Sequence, residues 1–306
     1  MIRLRWNGQD ITDSCTVTGC IHRDAAGGKN DALILELDRA DVWYGWAPEE
    51  GDRIEAEDGG YRSGIHYLNA IDPTGGRYRV IAGGTTPKAN ETNWKMYRNT
   101  TFQTLIKRCA EEAGMTGILF GAEGTIALPT VLRKWESIMN FLSRIGEAEG
   151  FRVKACDGAI RAISIPWAES LNAGMNLTLN AKDEGVVYRR RENMKCSELT
   201  VLSPWATATA RDAAAPETRC RTVTGLPAMT QAQAGKWARN LLREYNRKAE
   251  EIRLSVNLNT GFYAMERVMV DGDTDMNGEW LVEEAEHDLM NRRTNVRMTR
   301  IPRMVR

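Results

Sequence analysis

The sequence has no net charge, no long apolar run and few histidines. Lysine plus arginine equals aspartate plus glutamate at 41 residues each. Proteins that bind nucleic acid or an anionic membrane through a general electrostatic field carry an excess of basic residues, which this chain lacks. No segment approaches the roughly 18 apolar residues of a membrane span, and residues 1–6 contain no signal-peptide core. The composition therefore predicts a protein without a membrane anchor that is made in a reducing cytosol.

Cysteine is present but shows no paired framework. Six cysteines (Cys15, Cys20, Cys109, Cys156, Cys196 and Cys220) are scattered along the chain, which predicts free thiols. Cys15, Cys20 and His22 have the ligand types of a zinc site. On a strand, however, the odd spacing of Cys15 and Cys20 places them on opposite faces, and no fourth ligand is near. We therefore expect buried apolar thiols and no metal site.

The sequence also lacks the usual signatures of catalysis. None of its three histidines, His22, His66 and His287, lies beside a serine or cysteine in a nucleophile motif. No carboxylate pair stands out as an acid and a nucleophile, and no glycine-rich phosphate loop is present. We therefore predict no catalytic residue, no cofactor and no enzymatic activity. A water-filled cavity lined by converging acids would argue against this prediction.

One acidic segment matches a calcium-binding pattern. Asp273, Asp275, Asn277, Gly278 and Glu284 have the spacing of a helix-loop-helix calcium site. Residues 267–270 look like a strand, however, and a tryptophan occupies the eighth position, where a small aliphatic residue is usual. Because Asp, Asn and Gly are also the standard turn residues, an acidic turn between two strands explains the segment equally well. The sequence leaves calcium binding open.

One basic run is present, at Arg189, Arg190 and Arg191. A nucleic-acid contact is one interpretation. Glu192, Asp183 and Glu184 offset the charge of the run, and adjacent strand residues alternate between faces. We therefore expect a solvated or subunit-facing strand.

The middle of the chain, from Asn99 to Ile165, predicts a compact α+β unit. Apolar residues between Phe102 and Ala113 recur at steps of three and four, and Thr100 with Gln103 forms a potential capping box. A second amphipathic helix is predicted from about Trp135 to Gly150. The period then changes to two on either side of an Asp157-Gly158 hairpin turn.

The flanking segments read as short strands separated by turns, with one helix predicted from Thr230 to about residue 249. Residues 85–99 suggest a linker, and residues 206–216 suggest a loop rich in small residues. These patterns predict three domains: a β domain over residues 1–84, an α+β insertion over residues 85–170, and a second β domain with one helix over residues 171–306.

The order of these signals resembles the hub proteins of contractile phage baseplates, the late control protein D family, which are related to the hub portion of the type VI secretion protein VgrG. The matching segments are residues 7–12 (Asn-Gly-Gln-Asp-Ile-Thr), 33–38 (Leu-Ile-Leu-Glu-Leu-Asp), 48–52 (Pro-Glu-Glu-Gly-Asp), Trp94, 101–106 (Thr-Phe-Gln-Thr-Leu-Ile), 113–115 (Ala-Gly-Met), 136–142 (Glu-Ser-Ile-Met-Asn-Phe-Leu), 149–151 (Glu-Gly-Phe), 157–158, 278–281 (Gly-Glu-Trp-Leu) and His287. Each segment is a common cap or turn, so the specificity lies in their order and spacing.

The resemblance implies a mainly β protein in which two tail-tube-like antiparallel β-barrel domains flank the α+β insertion. It also implies a homotrimer in the baseplate of a virion tail, assembled in the host cytoplasm. Three copies would present six barrels and join the six-fold tail tube protein to a three-fold central spike protein, in contact with other baseplate proteins. DNA is expected at most to pass through the central channel.

Two alternatives stay open. One is a cell-wall hydrolase carried in a baseplate. The other is the hub of a type VI secretion spike, against which we note that the sequence shows no repeated β-helical extension. The sequence does not distinguish a phage from a phage-tail-like bacteriocin.

Overall fold

The computed structural model describes residues 2–27, 30–40, 44–45, 47–122, 124–215, 219–273 and 275–302. Strands account for 48% of the chain and helices for 20%, so the protein is mainly β, as predicted. Short 3-10 turns lie at Thr12–Ser14 and Glu192–Met194.

We call residues 2–84 the first lobe. Its described residues form eight strands: β1 (Arg3–Trp6), β2 (Gln9–Asp10), β3 (Thr16–Ala25), β4 (Ala32–Asp38), β5 (Arg53–Asp58), β6 (Tyr61–Arg62), β7 (His66–Thr74) and β8 (Arg77–Gly83). Alternation selects the buried side chains of these strands, as in β4, where Leu33, Leu35 and Leu37 are fully buried and Ile34 is only half-buried.

We call residues 85–170 the middle module. Its elements are α1 (Pro87–Asn90), β9 (Asn93–Thr101), α2 (Phe102–Glu112), β10 (Thr116–Phe120), β11 (Ala127–Glu136), α3 (Ile138–Glu149), β12 (Phe151–Cys156), β13 (Ala159–Ser164) and α4 (Ile165–Ser170). β9 and β11 form a two-stranded ribbon, and β10, β13 and β12 form a three-stranded sheet.

The remaining elements are β14 (Met175–Leu179), β15 (Val186–Arg190), β16 (Glu198–Leu202), β17 (Thr207–Arg211), β18 (Cys220–Val223), α5 (Gln231–Arg247), β19 (Glu250–Asn257), β20 (Arg267–Gly272), β21 (Gly278–Asp288) and β22 (Arg293–Arg300). We call β14, β15 and β19 to β22 the second lobe. β16, β17 and β18 form a separate sheet that packs with α5 on the middle module, and their apolar side chains share its core.

One large sheet joins the two lobes. Its strands follow the order β15, β19, β22, β21, β3, β4, β8, β7, β5, β1, β2, with the central antiparallel pair formed by β3 and β21. From that pair, three antiparallel strands continue on the side of β21 and six on the side of β3. Among the described residues the ladders do not close either lobe into a ring, so the two barrels stay a prediction.

Each lobe has its own apolar core. The core of the first lobe collects side chains from β1, β3, β4, β5 and β8, which means that the sheet curls around them. The core of the second lobe is centred on the fully buried Trp280 of β21. The boundaries between the three predicted domains remain predictions.

Several local expectations need correction. The N-cap of α2 is Thr101, whose hydroxyl accepts from the Thr104 amide, whereas Thr100 one residue earlier is buried and caps nothing in the helix. α3 starts at Ile138 behind the N-cap Ser137, not at Trp135, which lies in a bulge of β11.

Segments predicted to be irregular contain regular elements. The expected linker at residues 85–99 holds α1 and most of β9, and the expected loop at residues 206–216 holds β17. The polar composition of these strands concealed them, since only Tyr97 and Thr100 of β9 and Ala210 of β17 are buried.

Candidate functional site

The first notable site is a buried ion cluster where β12 meets α5 and β21. Arg152 lies between the apolar residues Phe151 and Val153 of β12, and such an alternating position is typical of a side chain that points to solvent. Instead its guanidinium donates to the carboxylates of Glu244 on α5 and Glu283 on β21. Arg247 on α5 donates to Glu283 over 2.6 Å, and the Thr299 hydroxyl donates to the same carboxylate over 2.9 Å. All five side chains are buried.

This cluster is electrostatically self-contained. Burial on its own would raise the pKa of Glu283, but Arg247 and Arg152 outweigh that effect and lower the pKa to about 2. Glu283 is therefore ionised at neutral pH and compensates two buried guanidinium groups together with Glu244. Because a buried charge is costly without its partner, the cluster holds β12, α5 and β21 in one relative position.

A second ion cluster links β12 to the first lobe. The ammonium group of Lys154 contacts Asp24 on β3 and lies 3.3 Å from a carboxylate oxygen of Asp31. Asp31 also accepts from the Ala25 amide over 3.1 Å, and Asp24 accepts from the Ala264 amide over 3.1 Å. These two carboxylates thus tie the middle module, the first lobe and the loop before β20 to one buried lysine.

The three histidines of the chain lie together beside this second cluster. The His22 ring is 5.1 Å from the His66 ring and 6.4 Å from the His287 ring, measured between centroids. His22 Nδ1 bonds to the Tyr61 hydroxyl, and the Tyr61 ring lies 5.3 Å from that of His287. Nothing in the sequence predicted this cluster, because the three positions are separated by long stretches of chain.

The histidines are held neutral by burial. Desolvation lowers the pKa of His66 to about 4 and also lowers the pKa values of His22 and His287. His66 Nδ1 donates to the Gly64 carbonyl over 3.1 Å, and His287 Nε2 donates to the Phe262 carbonyl over 3.1 Å. These bonds fix one neutral tautomer of each ring.

A cavity of about 690 Å³ opens beside the histidines. Its walls come from the first lobe, the middle module and the loop before β20, and its acidic side chains are Asp24, Asp31, Asp157 and Glu266. Burial raises the pKa of Asp31 to about 7 despite its contact with Lys154. Asp24 and Asp31 share one ammonium group, and Asp157 accepts from the Ile65 amide over 3.1 Å. Three of the four acids therefore make contacts that stabilise the junction.

Among the described residues, no group of three or more His, Cys, Asp or Glu side chains is arranged to hold a metal ion. Cys15 and Cys20 both face the core of the first lobe, contrary to the expectation of opposite faces, because a bulge between Val17 and Gly19 shifts the alternation. Burial raises the pKa of Cys20 to about 12, so this thiol stays protonated. All six cysteines are free thiols, as predicted.

The calcium-like segment forms the turn between β20 and β21. The Asp273 carboxylate accepts from the Ala181 amide, and the Asp273 carbonyl accepts from the Met276 amide over 2.9 Å. Glu284, the required twelfth ligand, lies within β21 and pairs with Arg297 and Arg23. Glu284 lies six positions beyond Gly278 along β21, which is about 20 Å of extended strand, so it does not close the loop around a cation.

The basic run lies at the edge of the large sheet. Arg189 and Arg190 end β15, which pairs with β19 on one side, and Arg190 pairs with Glu192. All three arginines are exposed. This arrangement fits a solvated or subunit-facing strand.

Large aromatic side chains are exposed on the ribbon and on one hairpin. Trp94 on β9 and Trp135 on β11 are 50% and 73% exposed, and Trp205, in the turn between β16 and β17, is 61% exposed. Exposed aromatic side chains of this size are typical of protein interfaces. No helix among the described residues is both long and apolar enough to cross a membrane.

The fold as a whole is that of phage tail proteins and of type VI secretion proteins related to them. The resemblance to baseplate hub proteins seen in the sequence is thereby confirmed at the level of the fold. No protein-family model matches the sequence, and no curated protein matches it.

Three solved structures illustrate this similarity. The tail protein from Neisseria meningitidis MC58 is 14% identical, with a TM-score of 0.76 over 98% of this chain and 96% of that one. The 43 kDa tail protein of prophage MuSo2 from Shewanella oneidensis is 14% identical, with a TM-score of 0.74 over 98% of each chain. The E. coli protein c3393, a type VI secretion component described as similar to the T4 tail proteins gp27 and gp5, is 12% identical, with a TM-score of 0.62 over 99% of this chain and 77% of that one.

Proposed function

We propose that this protein is a structural component of a contractile phage tail or tail-like particle, in which it forms the trimeric hub of the baseplate. The observation that carries the proposal is the similarity of fold to phage tail proteins over nearly the whole length of both chains. In this proposal the two β lobes, which share one sheet, are the two tube-facing bodies of each subunit, so three copies would present six. Such a trimer joins the six-fold tube protein to a three-fold spike.

The mechanism is geometric. An adaptor between two symmetries has to keep its two lobes in a fixed relation while neighbouring proteins pull on either side. The β3–β21 pairing and the two buried ion clusters supply that rigidity, because separating the lobes would leave charges buried without partners. No residue is assigned a catalytic role.

The test is the mass of the purified protein in solution, measured by native mass spectrometry. We expect a species of three times 34.3 kDa, alone or after addition of the tube and spike proteins of the same particle. Three-fold averaged images of the particle should place one copy in each third of the ring. A strict monomer that binds neither tube nor spike would contradict the proposal.

The acid-lined cavity favours one second candidate, a cell-wall hydrolase carried in the baseplate. Release of soluble fragments from purified peptidoglycan, abolished by Asp31→Asn, would support it. We expect no release, because Asp24 and Asp31 are both engaged with Lys154. The related proposal of a type VI spike hub is supported by the fold of c3393, and co-purification with a secretion tube protein instead of a phage tube protein would distinguish it.

A further inference from the structure

The ribbon formed by β9 and β11 has a solvent-facing side that the hub proposal does not use. Directly opposed residues of an antiparallel pair share a face, and the register pairs Trp94 with Lys134, Met96 with Leu132, and Arg98 with Thr130. The opposite side of the ribbon carries Tyr97 and Val131, which are buried in the core of the middle module. We call the solvent-facing side the outer ribbon face.

The outer ribbon face combines an apolar stripe with basic charge. Trp94 is half exposed, Met96 and Leu132 are half-buried, and Arg98 and Lys134 are exposed. Neither Arg98 nor Lys134 has an ion-pair partner among the described residues, and the face carries no carboxylate. The outer ribbon face is therefore basic, although the chain as a whole has no net charge. A binding partner with complementary charge would be acidic.

Trp135 follows Lys134 in the chain, at one end of the ribbon, and is 73% exposed. It lies in a bulge between Lys134 and Glu136, with its backbone in the left-handed region at φ 51°. This conformation is unfavourable for a tryptophan, and the exposed side chain makes little contact that would repay it. A strained residue that holds a large aromatic ring in solvent indicates a binding role.

The edge of β9 is open to a further strand. Among the described residues, β9 pairs with β11 alone, and a two-stranded ribbon is only marginally stable by itself. β11 is a poorer template, since Pro129 has no amide hydrogen and the Leu132 carbonyl already accepts from Arg144 over 2.8 Å. β9 contains no proline over its nine residues.

We propose that β9 receives an extended acidic segment of a partner protein, which adds to the ribbon as a third strand. Its main chain pairs with β9, while every second side chain lies on the outer ribbon face. Apolar side chains of the segment contact Trp94 and Met96, and its carboxylates pair with Arg98 and Lys134. A basic and aromatic surface also suits single-stranded nucleic acid, but the central apolar stripe of Met96 and Leu132 favours apolar side chains over bases.

The proposal can be tested with labelled peptides and the full-length protein. The probe is the peptide Val-Thr-Glu-Thr-Val-Thr-Glu-Thr, in which valine and glutamate share one face of a strand. Fluorescence anisotropy should show saturable binding of this peptide and at least about tenfold weaker binding of the version with lysine in place of glutamate. In the proposed complex, only every second amide of the peptide points towards β9. N-methylation of these amides should therefore abolish binding, while N-methylation of the other set, which points away from β9, should leave it intact.

Variants of the protein locate the site. Trp94→Ala and Lys134→Glu should each weaken binding of the acidic peptide about tenfold or more. Trp205→Ala removes an even more exposed tryptophan elsewhere and should leave the binding unchanged. Circular dichroism and native mass should be the same for all variants, which separates this proposal from that of the trimer.

Three outcomes would overturn the proposal. These are the absence of saturable peptide binding, binding that neither ribbon variant weakens, and binding that tolerates N-methylation of either set of amides. If an eight-nucleotide oligothymidylate bound more tightly than the acidic peptide, and Trp94→Ala and Lys134→Glu abolished that binding, the outer ribbon face would be a nucleic-acid site instead.

Discussion

Glu283 is a buried carboxylate on which three buried groups depend, namely Arg152, Arg247 and Thr299. Replacing it by glutamine leaves Arg247 and Arg152 with Glu244 as their remaining carboxylate. Breaking one side of a buried pair typically costs about 3–5 kcal/mol. We expect Glu283→Gln to lower the free energy of unfolding by that amount in urea titrations.

The matched control is Glu198→Gln, which removes the partner of Arg211 in an ion pair whose arginine is 80% exposed. Exposed pairs contribute about 0–1 kcal/mol, so this variant should unfold almost as the parent does. Equal effects of the two substitutions would mean that the buried cluster is not an important determinant of stability.

His66 makes stability depend on pH. Its pKa is lowered to about 4 by burial, against a value of about 6.5 in the unfolded chain. The unfolded chain therefore takes up this proton first as the pH falls, and stability is lost between about pH 6.5 and 4. Asp31, with its pKa raised to about 7 in the folded protein, acts in the opposite direction across this whole range.

Comparison of His66→Gln with the parent isolates the histidine, because Asp31 is present in both proteins. We expect the variant to lose less stability than the parent when the pH is lowered from 7 to 4.5, as measured by thermal unfolding. Parallel curves for the two proteins would contradict this expectation.

At the scale of single residues, the sequence predicted apolar burial well and buried charge poorly. The alternation of Phe151, Val153 and Ala155 with polar residues predicted the apolar side of β12, but it did not predict that Arg152 and Lys154 on the other side are buried as well. Their acidic partners lie far away in sequence, on β3, α5 and β21, and a pattern within one strand carries no information about them. The cluster of the three histidines could not be predicted for the same reason.

In the β9–β11 ribbon, Trp135 has a backbone conformation that lowers stability and an exposed ring that we assign to binding. Asparagine adopts the left-handed conformation of residue 135 more readily than tryptophan does. Trp135→Asn should therefore raise the free energy of unfolding by up to about 1 kcal/mol. The same variant should bind the acidic peptide more weakly than the parent. If the variant were less stable than the parent, the Trp135 ring would stabilise the fold through contacts within the protein, contrary to this prediction.

Element types were predictable where periodicity was strong. The helices α2, α3 and α5 and the β12–β13 hairpin lie where three-to-four or two-residue spacing predicted them. The starts of α2 and α3 were wrong by one to three residues, because Thr100 and Thr101 carry the same capping group and only tertiary packing selects Thr101. β9 and β17 were missed because edge strands with exposed side chains have little apolar signal.

At the scale of the whole molecule, the junction should make the chain unfold as one unit. The β3–β21 pairing joins the lobes, the ion clusters join both lobes to β12, and α5 shares the core of the middle module. Opening any of the three predicted domains alone would expose buried charge and break a sheet. We therefore expect a single calorimetric transition, despite a length that often gives several.

The free thiols provide a local readout of this cooperativity. Cys20 reports on the first lobe, Cys109 on the middle module and Cys196 on the sheet beside α5, and all three are buried. In a denaturant series with thiol labelling and peptide mass analysis, the three should become reactive with the same midpoint, while the exposed Cys220 is labelled throughout. Separate midpoints for Cys20 and Cys109 would mean that the lobes and the middle module open independently. In the proposed hub, such independent opening would let the two lobes move relative to one another under load.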